Sequence, residues 1–156
     1  MESWKLPPKA KIYEALSAVA DNRVKITSET SAIVTSSSLD KDYTVTWSDD
    51  LTQITSNDNA SHWQGYVGYP IVAVLLVKGK ISFNREVAGY LAGIIWKKIN
   101  KQFKNDYDKA IESVLGSLGE KGIDARKIRE EVDRIMRQLE RLPLTKLPGR
   151  GRPPKG

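Results

Sequence analysis

The sequence contains no cysteine and only one histidine, His62, among its 156 residues. The absence of cysteine excludes disulfide bonds, thiolate catalysis and cysteine-ligated zinc or iron–sulfur sites. A single histidine excludes a metal site built from several histidines. The sequence also lacks a phosphate-cradling glycine loop, a serine nucleophile elbow and a metalloprotease helix. We therefore expect no metal, no cofactor and no enzymatic activity.

Long apolar runs are missing as well. The longest run, Ile71 to Val77, is far too short to cross a bilayer. The first residues lack the apolar core of a signal peptide. These absences predict a soluble, cytoplasmic protein that has no membrane partner.

Acidic residues are absent from the last segment of the chain, residues 143–156. This segment contains four prolines, three glycines and four positive charges, so it contributes +4 of the net charge of +6. Its composition is unfavourable for a packed helix or strand. The sequence therefore predicts a disordered basic tail at 143–156, which follows a single globular domain at 1–142.

The tail contains the motif Arg150-Gly151-Arg152-Pro153. This motif resembles an AT-hook, the short minor-groove binding element of chromatin and transcription proteins. The resemblance implies an extended backbone on the floor of a narrow A·T-rich minor groove, where the two arginines enter the most negative potential. It also implies that Gly151 is required, because a side chain there would meet the groove floor. Pro153 would then direct the backbone out of the groove.

Two lysines flank the motif, and the resemblance implies that Lys146 and Lys155 lie over phosphates. The sequence departs from the commonest AT-hook form, in which a proline and further basic residues directly precede the first arginine. Here Gly149 separates Pro148 from Arg150. Four charges predict weak binding, on the order of micromolar, with a salt slope of roughly −3 to −4 on B-DNA. We expect such a tail to assist a second contact elsewhere on the protein.

The leading hypothesis is thus a DNA-binding or nucleoid-associated protein that uses its tail on A·T-rich DNA. The alternative is a ribosome-associated protein whose tail contacts rRNA, because a basic tail can bind any polyanion. A third hypothesis, an enzyme or ligand-binding domain, rests on the segment His62 to Pro70. This segment combines two glycines, three aromatic residues and the histidine. A tightly packed joint between the sheet and the helices is the favoured interpretation of this segment.

A second basic segment precedes the acidic residues near position 106. Its four lysines, Lys97, Lys98, Lys101 and Lys104, lie on a predicted helix. They could provide auxiliary phosphate contacts, although a solvated helix face is the more common meaning of such a pattern.

The order of predicted elements indicates an α+β fold. A first helix runs from Pro7-Pro8 to about Asp21, and alternating polar and apolar residues from 23 to 56 predict an antiparallel meander of three or four strands. About four helices follow, over 71–78, 82–94, 96–118 and 124–142. The body resembles uncharacterised small archaeal proteins, a resemblance that implies no function.

The last of these helices carries apolar residues at alternating spacings of four and three. They are Ile128, Val132, Ile135, Leu139 and Leu142. This spacing forms a coiled-coil-like seam of about two heptads. It favours antiparallel packing on the preceding helix, and a homo-oligomer formed through the 124–142 helix is the alternative.

Overall fold

The computed structural model describes residues 2–148 and 153–154 and confirms the α+β class. The described residues form the helices α1 (Lys9–Ala20), α2 (Tyr69–Val77), α3 (Arg85–Tyr90), α4 (Trp96–Gln102), α5 (Tyr107–Glu120) and α6 (Ala125–Arg141). The strands are β1 (Val24–Ser28), β2 (Ser31–Thr35), β3 (Asp42–Trp47), β4 (Gln53–Ser56) and β5 (Thr145–Lys146). A π-helical turn at Ala60–Gln64 leads from the sheet into the helices.

The first four strands form the antiparallel meander that the alternating pattern predicts, and they lie in the order β1-β2-β3-β4. In β3, Tyr43, Val45 and Trp47 point to one face and are buried. Their neighbours on the other face of the strand are polar threonines. The aromatic side chains of β3 therefore pack against the helices and belong to the core.

Helix α2 lies at the centre of the core. It consists entirely of apolar residues apart from Tyr69, and every side chain from Pro70 to Leu76 is buried. It packs against α1 on one side and against the sheet on the other. Tyr69-Pro70 provides a proline in the first turn, and Gly79 ends the helix in the left-handed region at φ 76°.

The segment after Leu142 corrects the predicted boundary of the tail. Strand β5 pairs in parallel with β4, and Leu144 is a buried core residue at 8% exposure. Backbone bonds also tie β5 to the first residues of the chain: Lys146 N donates to Glu2 O at 2.8 Å, and Trp4 N donates to Leu144 O at 3.2 Å. Proline-rich composition concealed this strand because its two residues lie between prolines. Residues 143–147 therefore belong to the body.

The single long helix predicted over 96–118 is wrong. The structure contains α4 and α5 instead, with Lys104 and Asn105 in the left-handed region between them. Asp106 begins α5 as its N-cap, and its carboxylate accepts from Lys109 N at 3.2 Å. Asparagine adopts left-handed conformations more readily than most residues, and aspartate is a strong N-cap, so these two side chains favour a new helix start.

Helix α6 packs through the predicted seam. Ile128, Val132, Ile135 and Leu139 are buried within the chain, and the helix packs on α1, α3 and α5. The preceding helix is thus one of three packing partners. Because the seam is covered inside the chain, a homo-oligomer formed through α6 would have to use its charged face.

Substitution of Leu139 by Ala should destabilise the fold by about 2 to 4 kcal/mol, because the side chain is 96% buried and leaves a cavity. Denaturant unfolding measures this loss. A shift below about 0.5 kcal/mol, the usual range for surface substitutions, would contradict the packing of α6. Glu140→Ala, one residue along at an exposed position, is the matched control.

Within the described residues, every helix is too short or too polar to span a membrane.

Candidate functional site

One end of the sheet brings together most of the residues that the sequence singles out. Strands β4 and β5 run in parallel towards this end, where β2 finishes at Thr35 and β3 begins at Asp42. The chain leaves β5 in the same direction, through Leu147 and Pro148. We call this region the basic end, because α4 and its lysines also lie here.

The stem of the tail lies in a groove beside the π-helical turn. Leu147 and Pro148 line this groove together with Trp4, His62 and Lys146. The backbone is held at this point, since Leu147 N donates to Ile54 O at 3.1 Å. The tail therefore begins from a fixed position on the body.

Lys146, which the sequence predicts as a phosphate contact, has partners in the structure. Its Nζ donates to Glu2 Oε2 at 2.6 Å and lies 5.0 Å from the centre of the Trp4 ring. The hydrogen bond and the charge of Lys146 lower the pKa of Glu2. A phosphate contact by Lys146 stays a prediction, and it would compete with this pair.

The AT-hook-like motif falls almost entirely outside the described residues. Arg150, Gly151, Arg152 and Lys155 lie beyond them. Pro153 is described and is partly buried. Direct contacts of the motif therefore stay predictions from the sequence.

The lysines of α4 are exposed at the basic end. Lys98, Lys101 and Lys104 present their side chains to solvent. Lys97 anchors the first turn of the helix: its backbone N donates to Ser37 Oγ at 3.2 Å, and its Nζ donates to Asp40 Oδ2 at 2.9 Å. All four predicted lysines are thus exposed, and Lys97 is also bonded to the β2–β3 loop.

Asp40 is the acidic partner in that loop. Hydrogen bonds from Ser38, Lys97 and Ser36 hold its pKa well below the usual range of an aspartate. A carboxyl group with a lowered pKa retains its charge, and with it the pair to Lys97, until the pH falls far below 7. The loop therefore keeps its position near neutral pH.

Helix α1 explains why α4 lies where it does. Its inward face carries a polar stripe at helical spacing, in which Glu14 Oε1 accepts from Asn100 Nδ2 at 3.0 Å. Ser17 Oγ accepts from Trp96 Nε1 at 2.8 Å and donates to Leu91 O at 2.7 Å. Buried hydrogen bonds of this kind fix geometry because an unmade bond would be costly. The stripe orients α4 and, with it, the basic end.

The segment from His62 to Pro70 serves mainly as a joint, the interpretation that the sequence favours. Asp58 is buried and accepts from Ser61 N at 3.1 Å and from Ser61 Oγ at 2.7 Å. Ser61 Oγ in turn accepts from Gly68 N at 3.2 Å. The joint ties the end of β4 to the start of α2.

His62 and Trp63 remain at the surface of this joint. Their rings meet edge to face with centroids 4.3 Å apart, and Trp63 is 66% exposed. No acidic side chain is placed to orient the imidazole among the described contacts of His62. This geometry offers an aromatic surface beside the tail stem.

A cavity of about 210 Å³ opens at the basic end, between β3, α1 and α4. Its aromatic lining consists of Tyr43, Tyr69 and Trp96, with the two tyrosine rings edge to face and 6.2 Å apart. Burial, followed by the influence of Tyr43 and Glu14, raises the pKa of Tyr69 far above the usual value. Burial also raises the pKa of Tyr43. Both phenols are therefore neutral at physiological pH.

The cavity also has charged residues in its lining. Glu14 and Arg23 are only 8% and 7% exposed, and both line it. Glu14 Oε2 lies 3.3 Å from Lys11 Nζ as an ion pair but accepts no hydrogen bond. Burial alone would lower the pKa of Lys11, yet the charges of Glu14 and Tyr107 outweigh it and raise that pKa. The lysine thus stays charged beside Glu14.

Arg23 is incompletely paired. Its Nη1 donates to Thr35 O at 2.6 Å. Its Nε is buried without a hydrogen bond and lies 3.5 Å from Asp21 Oδ2. A guanidinium has five N–H donors, so this buried side chain retains capacity for a further acceptor.

Sequence reasoning missed this cavity because its residues come from four separate parts of the chain. One signal was available: Glu14 and Ser17 interrupt the apolar pattern of α1 at helical spacing, which indicates a polar environment on that face.

The described residues contain no cluster of three or more histidine, cysteine or acidic side chains suited to a metal ion.

Comparison with known proteins concerns the body of the chain. Residues 4–145 match the family model described as "Uncharacterised conserved protein UCP014422". No curated protein and no solved structure matches the chain. The matched range ends at the first residue of β5, so Arg150-Gly151-Arg152-Pro153 lies outside it. Because the match spans most of its length, the chain belongs to the family of uncharacterised conserved protein UCP014422.

Proposed function

We propose that the protein binds nucleic acid through the basic tail, with A·T-rich DNA as the favoured target. The observation that carries this proposal is the position of the tail: it follows a fixed strand that runs towards the exposed lysines of α4. Arg150 and Arg152 would enter the minor groove, and Lys155 would lie over a phosphate.

The geometry of the sheet supports a binding surface that combines the tail with the lysines of α4. Strands β2 and β5 are separated by three strand spacings, or about 14 Å. The two residues that follow Pro148, Gly149 and Arg150, can add about 7 Å when extended, and a duplex is wide enough to cover the rest of this separation. A nucleic acid held by the tail arginines can therefore also reach Lys98, Lys101 and Lys104, which contribute phosphate contacts.

The combination matters for affinity. The cationic side chains Arg150, Arg152 and Lys155 bind weakly on their own. Once they are bound, contact of the α4 lysines with the same nucleic acid is intramolecular and adds to the affinity. This proposal corresponds to a nucleoid-associated role, because phosphate contacts supply most of the affinity and the motif adds a preference for narrow minor grooves. Contact of the same tail with rRNA is the alternative, and the exposed Trp63 beside the tail stem favours it through base stacking.

The experiment compares Gly151→Ala and Arg152→Lys with the unchanged chain by fluorescence anisotropy at fixed salt. We expect each substitution to weaken binding to A·T-rich duplex about tenfold, equivalent to about 1.4 kcal/mol. A methyl group obstructs the groove floor, and an ammonium fits a narrow groove less well than a planar guanidinium. Binding to G·C-rich duplex should change much less.

Gly156→Ala is the matched control, because it adds the same methyl group outside the motif. It should leave affinity for all targets unchanged. Equal losses on A·T-rich DNA, G·C-rich DNA and RNA, or no loss at all, would reject minor-groove recognition. The ribosomal alternative would then be preferred.

A further inference from the structure

The cavity at the basic end has walls suited to a planar ring. Tyr43, Tyr69 and Trp96 contribute three aromatic rings to one small space of about 210 Å³. This volume lies below the roughly 300 to 1,000 Å³ of pockets for drug-sized ligands. The cavity therefore suits one small molecule with a flat part, such as a base with its sugar.

Buried polar groups add recognition chemistry to these walls. Arg23 has N–H donors besides the one bonded to Thr35 O, and Glu14 has Oε1 bonded to Asn100 and Oε2 ion-paired with Lys11. Asn100 presents its amide next to Glu14, to which it is hydrogen-bonded. A ligand with both acceptors and N–H donors on one edge would satisfy this set, and nucleobases have such edges.

The mouth of the cavity is basic. Lys41 and Lys97 both line it, and Lys97 uses one of its three ammonium donors on Asp40. Among the described residues, Arg23 is paired with Asp21, Lys97 with Asp40 and Glu14 with Lys11, so Lys41 supplies the remaining positive charge of the lining. An anionic group at the mouth, outside the aromatic part, would be stabilised there.

We propose that this cavity binds a nucleotide unit, with the base against the aromatic side chains, its edge towards Arg23 and Glu14, and its phosphate at Lys41 and Lys97. The proposal goes beyond binding of nucleic acid by the tail and does not require it. The same chemistry could come from a free nucleoside monophosphate or from the phosphorylated end of a strand.

The test is calorimetric titration of the full chain with AMP, GMP, CMP and UMP, alongside ribose 5-phosphate and inorganic phosphate. At least one nucleotide should bind about tenfold more tightly than ribose 5-phosphate, because the stacked base contributes to affinity. Lys41→Gln should lower the affinity for that nucleotide by up to about 5-fold, as expected for the loss of a partly exposed charge pair. Lys121→Gln, the same change at an exposed position on the far end of α5, should have no effect.

Two further measurements are needed. One distinguishes a free nucleotide from a strand end as the ligand, and the other separates nucleotide binding in the cavity from nucleic-acid binding by the tail. A 5′-phosphorylated trinucleotide that binds as tightly as the monophosphate identifies a strand end as ligand, and weaker binding identifies the free nucleotide. The chain ended at Pro148 should bind nucleotides with unchanged affinity even though it lacks the tail motif. The proposal is overturned if none of the four nucleotides binds at millimolar concentration, if ribose 5-phosphate binds equally well, or if Lys41→Gln and Lys121→Gln behave alike.

Discussion

Ending the chain at Pro148 should lower its affinity for A·T-rich duplex about a hundredfold, because the body then loses its linked second contact. The deletion removes Arg150, Arg152 and Lys155 and leaves Lys146 in place. Loss of three positive charges should reduce the slope of log affinity against log salt by roughly 3. Anisotropy titrations over a range of salt concentrations measure both quantities.

The position of the cut is essential to this experiment. The sequence predicts that everything after Leu142 can be removed without harm to the fold, but the structure places β5 and the buried Leu144 in that segment. A chain ended at Leu142 should be less stable by at least about 2 kcal/mol, from the lost burial of Leu144 alone. Thermal melts of the two truncated chains should therefore differ. If the chain ended at Pro148 binds DNA as tightly as the full chain, the α4 lysines carry the binding instead.

Gly68→Ala should have the largest effect on stability of any glycine substitution in the body, about 3 kcal/mol. A Cβ at this position would lie 2.6 Å from Asp58 Cγ and 2.7 Å from Asp58 Oδ1, and closer still to Oδ2. The carboxylate would have to move away and lose its bonds to Ser61. Denaturant unfolding at neutral pH measures the change.

Gly116→Ala is the control for that substitution. Gly116 lies inside α5, and an added Cβ meets no atom within 4 Å. Alanine favours a helix more than glycine does, so this variant should be more stable by about 0.5 to 1 kcal/mol. Similar unfolding free energies for the two variants would show that Asp58 does not hold the joint.

The regular parts of this fold could be predicted from local sequence patterns. Alternation in β3, with Tyr43, Val45 and Trp47 on one face, indicated the meander, and the seam of α6 indicated its buried side. Asn84 and Asp124 begin α3 and α6 by capping, as their residue types suggest. These signals are local, because propensity and periodicity act over a few residues.

The errors arose where a few residues depend on distant partners. Strand β5 has two residues and exists only because β4 and Trp4 lie on either side of it. The break between α4 and α5 was visible as Asn105-Asp106, but apolar residues from Ile99 to Leu118 recur at helical spacing and suggested continuity. Apolar periodicity does not fix where a helix ends, and a good N-cap can begin a new helix within it.

The same distinction between local patterns and distant partners applies to the candidate functional residues. The tail motif is a contiguous pattern, so the sequence alone indicates it. The cavity depends on Glu14, Arg23 and Trp96, which are far apart in the sequence and meet only in the folded chain. The composition of His62–Pro70 favoured a joint, but Asp58, which precedes this segment and accepts two bonds from Ser61, looked like an ordinary turn aspartate.

A competition titration tests the central claim most directly. The full chain, bound to labelled A·T-rich duplex at fixed salt, is challenged with unlabelled A·T-rich duplex, G·C-rich duplex and structured RNA. Minor-groove recognition by Arg150-Gly151-Arg152-Pro153 predicts that A·T-rich duplex competes about tenfold better than the other two. Equal competition by all three, or stronger competition by RNA, would contradict it.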